Sequence, residues 1–252
     1  RSHVFVFQGF VAAVAPFNFT AIGGNLAGTP ALMGNVVLWK PSDTAMSASY
    51  SVYKILRECG MPPNIIQFLP ADGPVFGDAV TASEHLAGIN FTGSVPTFKR
   101  LWKQVAQNLD VYRTFPRLAG GQERSSLSAL TTSFKSSSFP LFPQPVEDFS
   151  TFLSAVIDDK SFGRIKKWLE RAKSSPNLKV IAGGNCDDKK GYFVEPTIIE
   201  TKDPQDAIMN EEIFGPVLAV YVYPEKDYRE VLRLIDTTSP YALTGAVFAK
   251  DE

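Results

Sequence analysis

From Val4 to Trp39 the chain carries no charged residue. A stretch that long without a charge is either a membrane span or the buried start of an α/β core. Its interruptions decide between the two. Pro16, Pro30, Gly23, Gly24 and three asparagines, Asn18, Asn25 and Asn35, break it, and its longest apolar run, counting glycine, is GFVAAVA. A bilayer needs about 20 consecutive, predominantly apolar residues. The stretch therefore predicts a buried strand, a turn and a helix, and no membrane span.

The same alternation continues downstream. FVAAVA, a helix near Ile22 to Met33, NVVLW, a helix near Ala45 to Glu58, IIQFL, a short helix near Val75 to Ser83, and GINF follow one another without hairpin turns. Strands apolar on both faces, joined by right-handed crossovers, give a parallel sheet covered by helices, with ligands where the strands end. The expected fold is α/β, a Rossmann-like parallel sheet plus part of a second α/β unit. Val95 to Leu109 reads as an amphipathic helix with Phe98, Leu101, Trp102, Val105 and Leu109 on its inner face. The following segment, GGQERSSLSALTTSFKSSSFPLFPQP, has seven serines between Ser125 and Ser138, ends in Pro140, Pro143 and Pro145, and sustains no period, so it reads as a junction. Beyond it, DKSFGRIKKWLERAKSS forms a helix with Phe162, Ile165, Trp168 and Leu169 inward. KVIAGG, YFVEPTIIE, FGPVLAVYVYP, a helix near Tyr228 to Ile235, and LTGAVFA complete the second unit. The expected boundaries are 1–119, a junction at 120–146, and 147–252.

Composition narrows the partners. With 25 Lys plus Arg against 26 Asp plus Glu, no global field draws the chain to nucleic acid or an anionic membrane. Two cysteines, Cys59 and Cys186, and two histidines, His3 and His85, are too few for a disulfide framework or a Cys/His zinc cluster, so no metal site is expected. A reducing compartment follows more easily. The sequence opens at Arg1 with no signal or transit pattern, from which a processed or truncated N-terminus is expected.

Several residues sit where chemistry is done, each with a plainer alternative. Asn18, in APFNFTAIGGNL, follows a strand and precedes a glycine-rich helix start, where its amide could donate to an oxyanion; position alone favours a turn or cap asparagine. Gly23, Gly24 and Gly28 do not have the spacing of a dinucleotide fingerprint. Lys40, in LWKPSD, could meet a ribose hydroxyl or phosphate, or be a solvated loop lysine. Gly93 and Ser94, with the helix start at Val95, Pro96 and Thr97, offer N–H groups and hydroxyls to an anion, or simply cap a helix. The loop ADGP reads equally as a turn. In NEEIFGPV, Glu211 and Glu212 precede a buried-looking Phe214; such carboxylates are usually solvated. Cys59 ends a helix, Cys186 lies among carboxylates, and His85 suits an exposed loop.

Taken in order, PFNFTAIGGN, WKPSDTA, FTGS and EEIFGPV resemble the recurrent blocks of the aldehyde dehydrogenase superfamily. GINFTGSVPTFKRLWKQVAQNL, PPNIIQF with PADGP, and FGRIKKWLERAKSS resemble its delta-1-pyrroline-5-carboxylate (glutamate gamma-semialdehyde) dehydrogenase branch. That resemblance implies NAD as cofactor, a small-molecule aldehyde as substrate, the mitochondrial matrix, proline catabolism and homo-oligomers that this chain is not assured of joining. It implies chemistry in which a cysteine thiolate adds to the carbonyl, hydride leaves to the nicotinamide, and glutamate-activated water hydrolyses the thioester. By the same resemblance Asn18 would stabilise the oxyanion and Lys40 would meet the adenosine ribose. Gly93, Ser94, Val95, Pro96 and Thr97 would form the cofactor loop, Glu212 would bind the nicotinamide ribose, and Phe214 would pack beside that ring. Ala15 stands where a serine is expected.

The departures weigh more. After RLAG the superfamily continues into a block with the general-base glutamate and then a block with the nucleophilic cysteine. Gly121 to Val146 contains no cysteine, and its Glu123, in GQERSS, does not match the glutamate block before Glu147 opens the next matching run. The sequence therefore predicts a relative that does not turn over. The alternatives are a non-catalytic NAD-binding or subunit-interaction protein, or a truncated or mis-predicted product.

Overall fold

The computed structural model describes residues 8–122, 128–131, 143, 145–239 and 243–248. His3, Glu123 and most of the serine-rich junction lie outside them. The chain divides into two compact units, Arg1–Glu123 and Arg124–Glu252.

In the first unit the chain runs through β1 (Phe10–Val14), α1 (Thr20–Leu32), β2 (Val36–Lys40), α2 (Met46–Glu58), β3 (Ile66–Phe68), α3 (Gly73–Thr81), β4 (Leu86–Gly93), α4 (Val95–Gln107) and β5 (Arg117–Gln122). The strands form one parallel sheet in the order β3-β2-β1-β4-β5. The side-chain period of two sends neighbouring residues to opposite faces. Ala12 joins Phe76, Val80, Phe98, Leu101 and Val105 of α3 and α4, while Ala13 joins Leu26 and Ala27 of α1, with Val52 and Tyr53 of α2 packed alongside. Both faces are thus covered, which is why the strands lack polar alternation. The chain moves outward from β1 to β3, then returns to the other side of β1 at β4. The crevice at that reversal is where open α/β sheets hold ligands.

Two residues expected inside α4 are not. Trp102 is 51% exposed, its ring meeting Phe98 edge-on with centroids 5.6 Å apart, and Leu109 lies past the helix end. Val95, Phe98, Leu101 and Val105 already fill the stripe facing the sheet, which leaves Trp102 at its flank.

The second unit contains β6 (Ser128–Thr131), α5 (Asp159–Ser174), β7 (Leu178–Ala182), β8 (Cys186–Asp187), β9 (Phe193–Val194), β10 (Thr197–Thr201), α6 (Ala207–Asn210), β11 (Val217–Val222) and α7 (Tyr228–Thr238). Its four-stranded sheet has the order β6-β11-β10-β7 and is mixed: β10 and β11 are parallel, β11 and β6 are parallel, and β7 runs antiparallel to β10. An all-parallel pattern therefore does not extend to this unit. After β7, Gly183 and Gly184 adopt φ of 72° and 95°, a conformation glycine takes at little cost, and the chain turns back through the β8–β9 ribbon instead of crossing over. A Cβ on Gly183 would lie 2.2 Å from the Pro196 carbonyl oxygen. The strand β6 sits inside the serine-rich stretch that showed no period; four residues are too few to display one, and pairing with β11 supplies the order. Of LTGAVFA, the described residues form no strand, and Val247 and Phe248 are exposed.

Phe162, Ile165, Leu169 and Ala172 of α5 pack on Ile199, Val217 and Ala219 of the sheet, with Trp168 half-buried beside them. Arg171 ties this helix to the start of α6, donating to both carboxylate oxygens of Asp206 at 2.8 and 2.9 Å. Asp206 also caps α6 by accepting from the Ile208 N–H at 2.9 Å. The Arg171 hydrogen bonds hold the Asp206 carboxyl below its ordinary range despite partial desolvation. A depressed carboxylate stabilises the fold above the unfolded pKa of about 3.9, and that contribution fades as pH falls through the folded value. Arg171 is itself 39% exposed, so solvent screens the pair. Asp206→Ala, which loses cap and pair together, is expected to cost about 2 kcal/mol in urea unfolding at neutral pH. Asp206→Asn keeps a capping oxygen and should cost less. Both variants should show a smaller loss of stability than wild type between pH 5 and pH 2, windows set by about 3.9 as the unfolded pKa.

Candidate functional site

The register aligns the ends of the central strands. Val14 pairs with Lys40 across β1 and β2 and with Phe91 across β1 and β4, and Gly93 pairs with Gln122 across β4 and β5. Lys40 closes β2 and Gly93 closes β4, so both stand at the carboxyl edge of the sheet, on the side where the β1–α1 turn carries Asn18. The N-cap position of α1 is Phe19, which has no capping side chain; Asn18 lies one residue outside and is not the cap.

Lys40 is no solvated loop lysine. It is 6% exposed, and its Nζ donates to the Pro41 carbonyl at 2.9 Å and to Asp43 Oδ1 at 2.8 Å. A buried ammonium persists only when paired and hydrogen-bonded. Two features outside the candidate list stand beside it. Asp43, three residues on and 62% exposed, supplies the counter-charge, and Gly73 at the start of α3 lies alongside the stem, where an added Cβ would meet Lys40 Cε at an ordinary contact distance of 4.0 Å. The spacing KPSD carried a signal for Asp43; nothing local announced Gly73. In the ADGP loop, Asp72 caps α3 by accepting from the Val75 N–H at 3.1 Å.

At the end of β4, Ser94 is the N-cap of α4. Its Oγ accepts from the Thr97 N–H at 3.4 Å and lies 2.8 Å from Thr97 Oγ1. Val95 is buried, and Pro96, in the first turn, has no N–H to satisfy. The capped-helix reading is therefore what the geometry contains. It leaves two hydroxyls and the positive end of a 13-residue helix at the switch-point edge, a setting that suits an anion.

Glu212 and Phe214 belong to the second unit, between α6 and β11. Phe214 has φ of 52°, uncommon for a bulky residue, and is half-buried, less than the sequence suggested. The segment is held from α5, where Arg164 Nε donates to the Ile213 carbonyl at 3.1 Å and Ile165 lies under Gly215. Glu212 is half-buried on this clamped turn.

The two cysteines lie elsewhere. Cys59 is exposed at the C-cap of α2, and a crossover helix returns the chain to the amino edge of the sheet, opposite Lys40 and Ser94. Cys186 is in β8, partly buried against the second core. His85 is exposed before β4, 3.7 Å from Glu84. Among the described residues, no group of three His, Cys, Asp or Glu side chains could hold a metal ion, and no helix is long and apolar enough to cross a membrane.

Comparison with known proteins gives consistent matches. The model of the "Aldehyde dehydrogenase family" matches residues 6–119 and 134–252. The mitochondrial delta-1-pyrroline-5-carboxylate dehydrogenase of Danio rerio is 68% identical over 97% of this chain and 52% of its own length, and that of Homo sapiens is 60% identical over 97% and 51%. The Danio rerio alignment spans 287 positions, more than the 252 residues of the chain, so that relative has residues with no counterpart here. A crystal structure of the Mycobacterium tuberculosis delta-pyrroline-5-carboxylate dehydrogenase, bound with NAD, superposes with a TM-score of 0.87 at 36% identity, covering 97% of this chain and 52% of that one. The chain spans about half the length of the relatives it matches. With a sheet ordered as in dinucleotide-binding folds, the expected motifs at its carboxyl edge, and family matches over both units, the chain belongs to the aldehyde dehydrogenase family.

Proposed function

We propose that this chain binds NAD at the carboxyl edge of its first unit and does not oxidise an aldehyde. The observation that carries the first half is the gathering of Lys40, Gly93 and the Ser94–Thr97 helix start at the switch point of a β3-β2-β1-β4-β5 sheet. These groups fit the cofactor. A cation and its neighbouring Asp43 carboxylate suit ribose hydroxyls, and a helix start with two hydroxyls suits a pyrophosphate. By resemblance alone, Glu212 and Phe214 of the second unit correspond to a nicotinamide-ribose ligand and to the residue beside that ring. NAD, when bound, supplies a hydride acceptor. Asn18 would donate its amide to the oxygen of a bound aldehyde, but the chain offers no thiolate at that edge to attack the carbonyl carbon. By resemblance, the lineage is glutamate gamma-semialdehyde oxidation in proline catabolism, in the mitochondrial matrix, with a small-molecule aldehyde and not a nucleic acid as ligand.

Isothermal titration of NAD into the purified chain tests the binding half. Saturable binding is expected, and Lys40→Met, which keeps the aliphatic stem in its slot, should weaken it at least about fivefold, the scale of one lost charge-assisted hydrogen bond. No heat in wild type, or an unchanged constant in the variant, would remove Lys40 from the site.

A further inference from the structure

A pocket of about 540 Å³ opens on the first unit between α2 and the end of β3. Its character comes from three rings. Tyr50 and Tyr53 stack at 6.2 Å and 25°, Tyr53 and Phe68 stack at 5.5 Å and 29°, and Tyr50 meets Phe68 at 5.5 Å. Phe68 is held from below by the buried Trp39, whose ring meets it edge-on at 5.2 Å, and Lys54 Nζ lies 5.4 Å from the centroid of Tyr50. The wall is therefore braced on its inner side, with Tyr53 within 29° of both neighbouring rings and Tyr50 tilted 53° to Phe68. Tyr50 is 47% exposed.

The polar groups at the pocket are neutral. Among the described residues, neither the Ser47 hydroxyl nor the Gln67 carboxamide has a hydrogen-bond partner, and no charged side chain lines the cavity. A cation would lose hydration here and gain no counter-charge, and the Lys54 ammonium, over Tyr50, stands outside the lining residues. A flexible aliphatic chain would leave the π faces and the carboxamide unused. A flat ring with donors and acceptors on its edge uses both, since aromatic faces stack on bases and a carboxamide can pair with adjacent ring nitrogen and amine groups. We propose that this pocket binds an uncharged bicyclic heteroaromatic of the purine class.

The pocket shares no residue with the cofactor-binding face, but it touches both loops that flank Lys40. Met46 directly follows the 3-10 turn Asp43–Ala45, which carries the partner of Lys40, and Pro70 leads into the loop that places Gly73 beside the lysine stem. An occupant would therefore abut the supports of Lys40 without displacing it.

Adenine is the probe, followed by ligand-observed NMR against wild type, Tyr50→Ala, Gln67→Ala and Lys40→Met, with folding of each checked by circular dichroism. Saturable binding is expected in wild type, weakened at least about fivefold in Tyr50→Ala, as loss of one stacking ring implies, weakened in Gln67→Ala, and retained in Lys40→Met. Adenine binding lost in Lys40→Met but kept in Tyr50→Ala would place adenine on the cofactor face and overturn the proposal. So would absence of saturable binding in folded wild type. Cyclohexanol binding as tightly as adenine would reduce the pocket to a general apolar groove and overturn it as well. Because the pocket residues are distinct from Lys40 and Ser94, failure here leaves the NAD reading untouched, and failure of NAD to bind leaves this one standing.

Discussion

Purified chain mixed with NAD and glutamate gamma-semialdehyde is expected to form NADH no faster than the enzyme-free blank. An aldehyde is a poor hydride donor until a nucleophile adds to its carbonyl carbon and leaves a tetrahedral oxyanion whose C–H bond can release hydride. Without that addition the step has no starting species, so loss of the nucleophile is expected to cost on the order of 10⁶ in rate, the scale found when nucleophiles are removed from covalent catalysts. Neither cysteine can stand in. Cys59, at the C-cap of α2, belongs to the amino edge of the sheet, and Cys186 is fixed in the β8–β9 ribbon. The assay follows NADH absorbance for wild type and for a Cys59→Ser, Cys186→Ser double variant. Turnover above the blank that vanishes in the double variant would show that one of these thiols reaches a substrate. Turnover that survives it would mean a different nucleophile.

What made the first unit readable was redundancy. FVAAVA, NVVLW and GINF are apolar on both faces, each is followed by a helical pattern, and no hairpin turn intervenes, so only a covered parallel sheet satisfies all of them. Once that sheet is in place, Asn18, Lys40 and Ser94 fall at strand ends by arithmetic. Their surroundings were less readable. Lys40 is buried with Gly73, more than 30 positions away, beside its stem and with Asp43 folded back onto its ammonium, neither of which has a local period. The second unit was harder for a related reason: a reversal at Gly183–Gly184 and a crossover look alike until the partner strand is known, and the four residues of β6 gain their order from β11. Trp102 shows the limit of a helical wheel, which ranks faces but does not say how wide the buried stripe is. The functional blocks were legible because their chemistry fixes residue identity, while Phe214 reveals through its backbone a constraint that its apolar character did not suggest.

That constraint makes the Glu212–Phe214 turn sensitive to what lies beneath it. A Cβ on Gly215 would lie 2.4 Å from Ile165 Cδ1 and 2.9 Å from its Cγ1. Ile165 is fully buried among Phe162, Leu169 and the sheet, so it has nowhere to retreat. The turn cannot lift away cheaply either, because the Ile213 carbonyl accepts from Arg164 on one side and Val217 begins β11 on the other. Gly215→Ala is therefore expected to cost about 3 kcal/mol, the upper end of overpacking in a closed core. The nearer of the two atoms identifies a control: Ile165→Val removes Cδ1 and leaves only the 2.9 Å contact, and in that background Gly215→Ala should cost no more than about half as much, a coupling that independent sites would not show. Urea unfolding of the four chains, wild type, both single variants and the double, closes the cycle. Additive costs would mean that the backbone at Gly215 moves freely and that the turn is not clamped by α5.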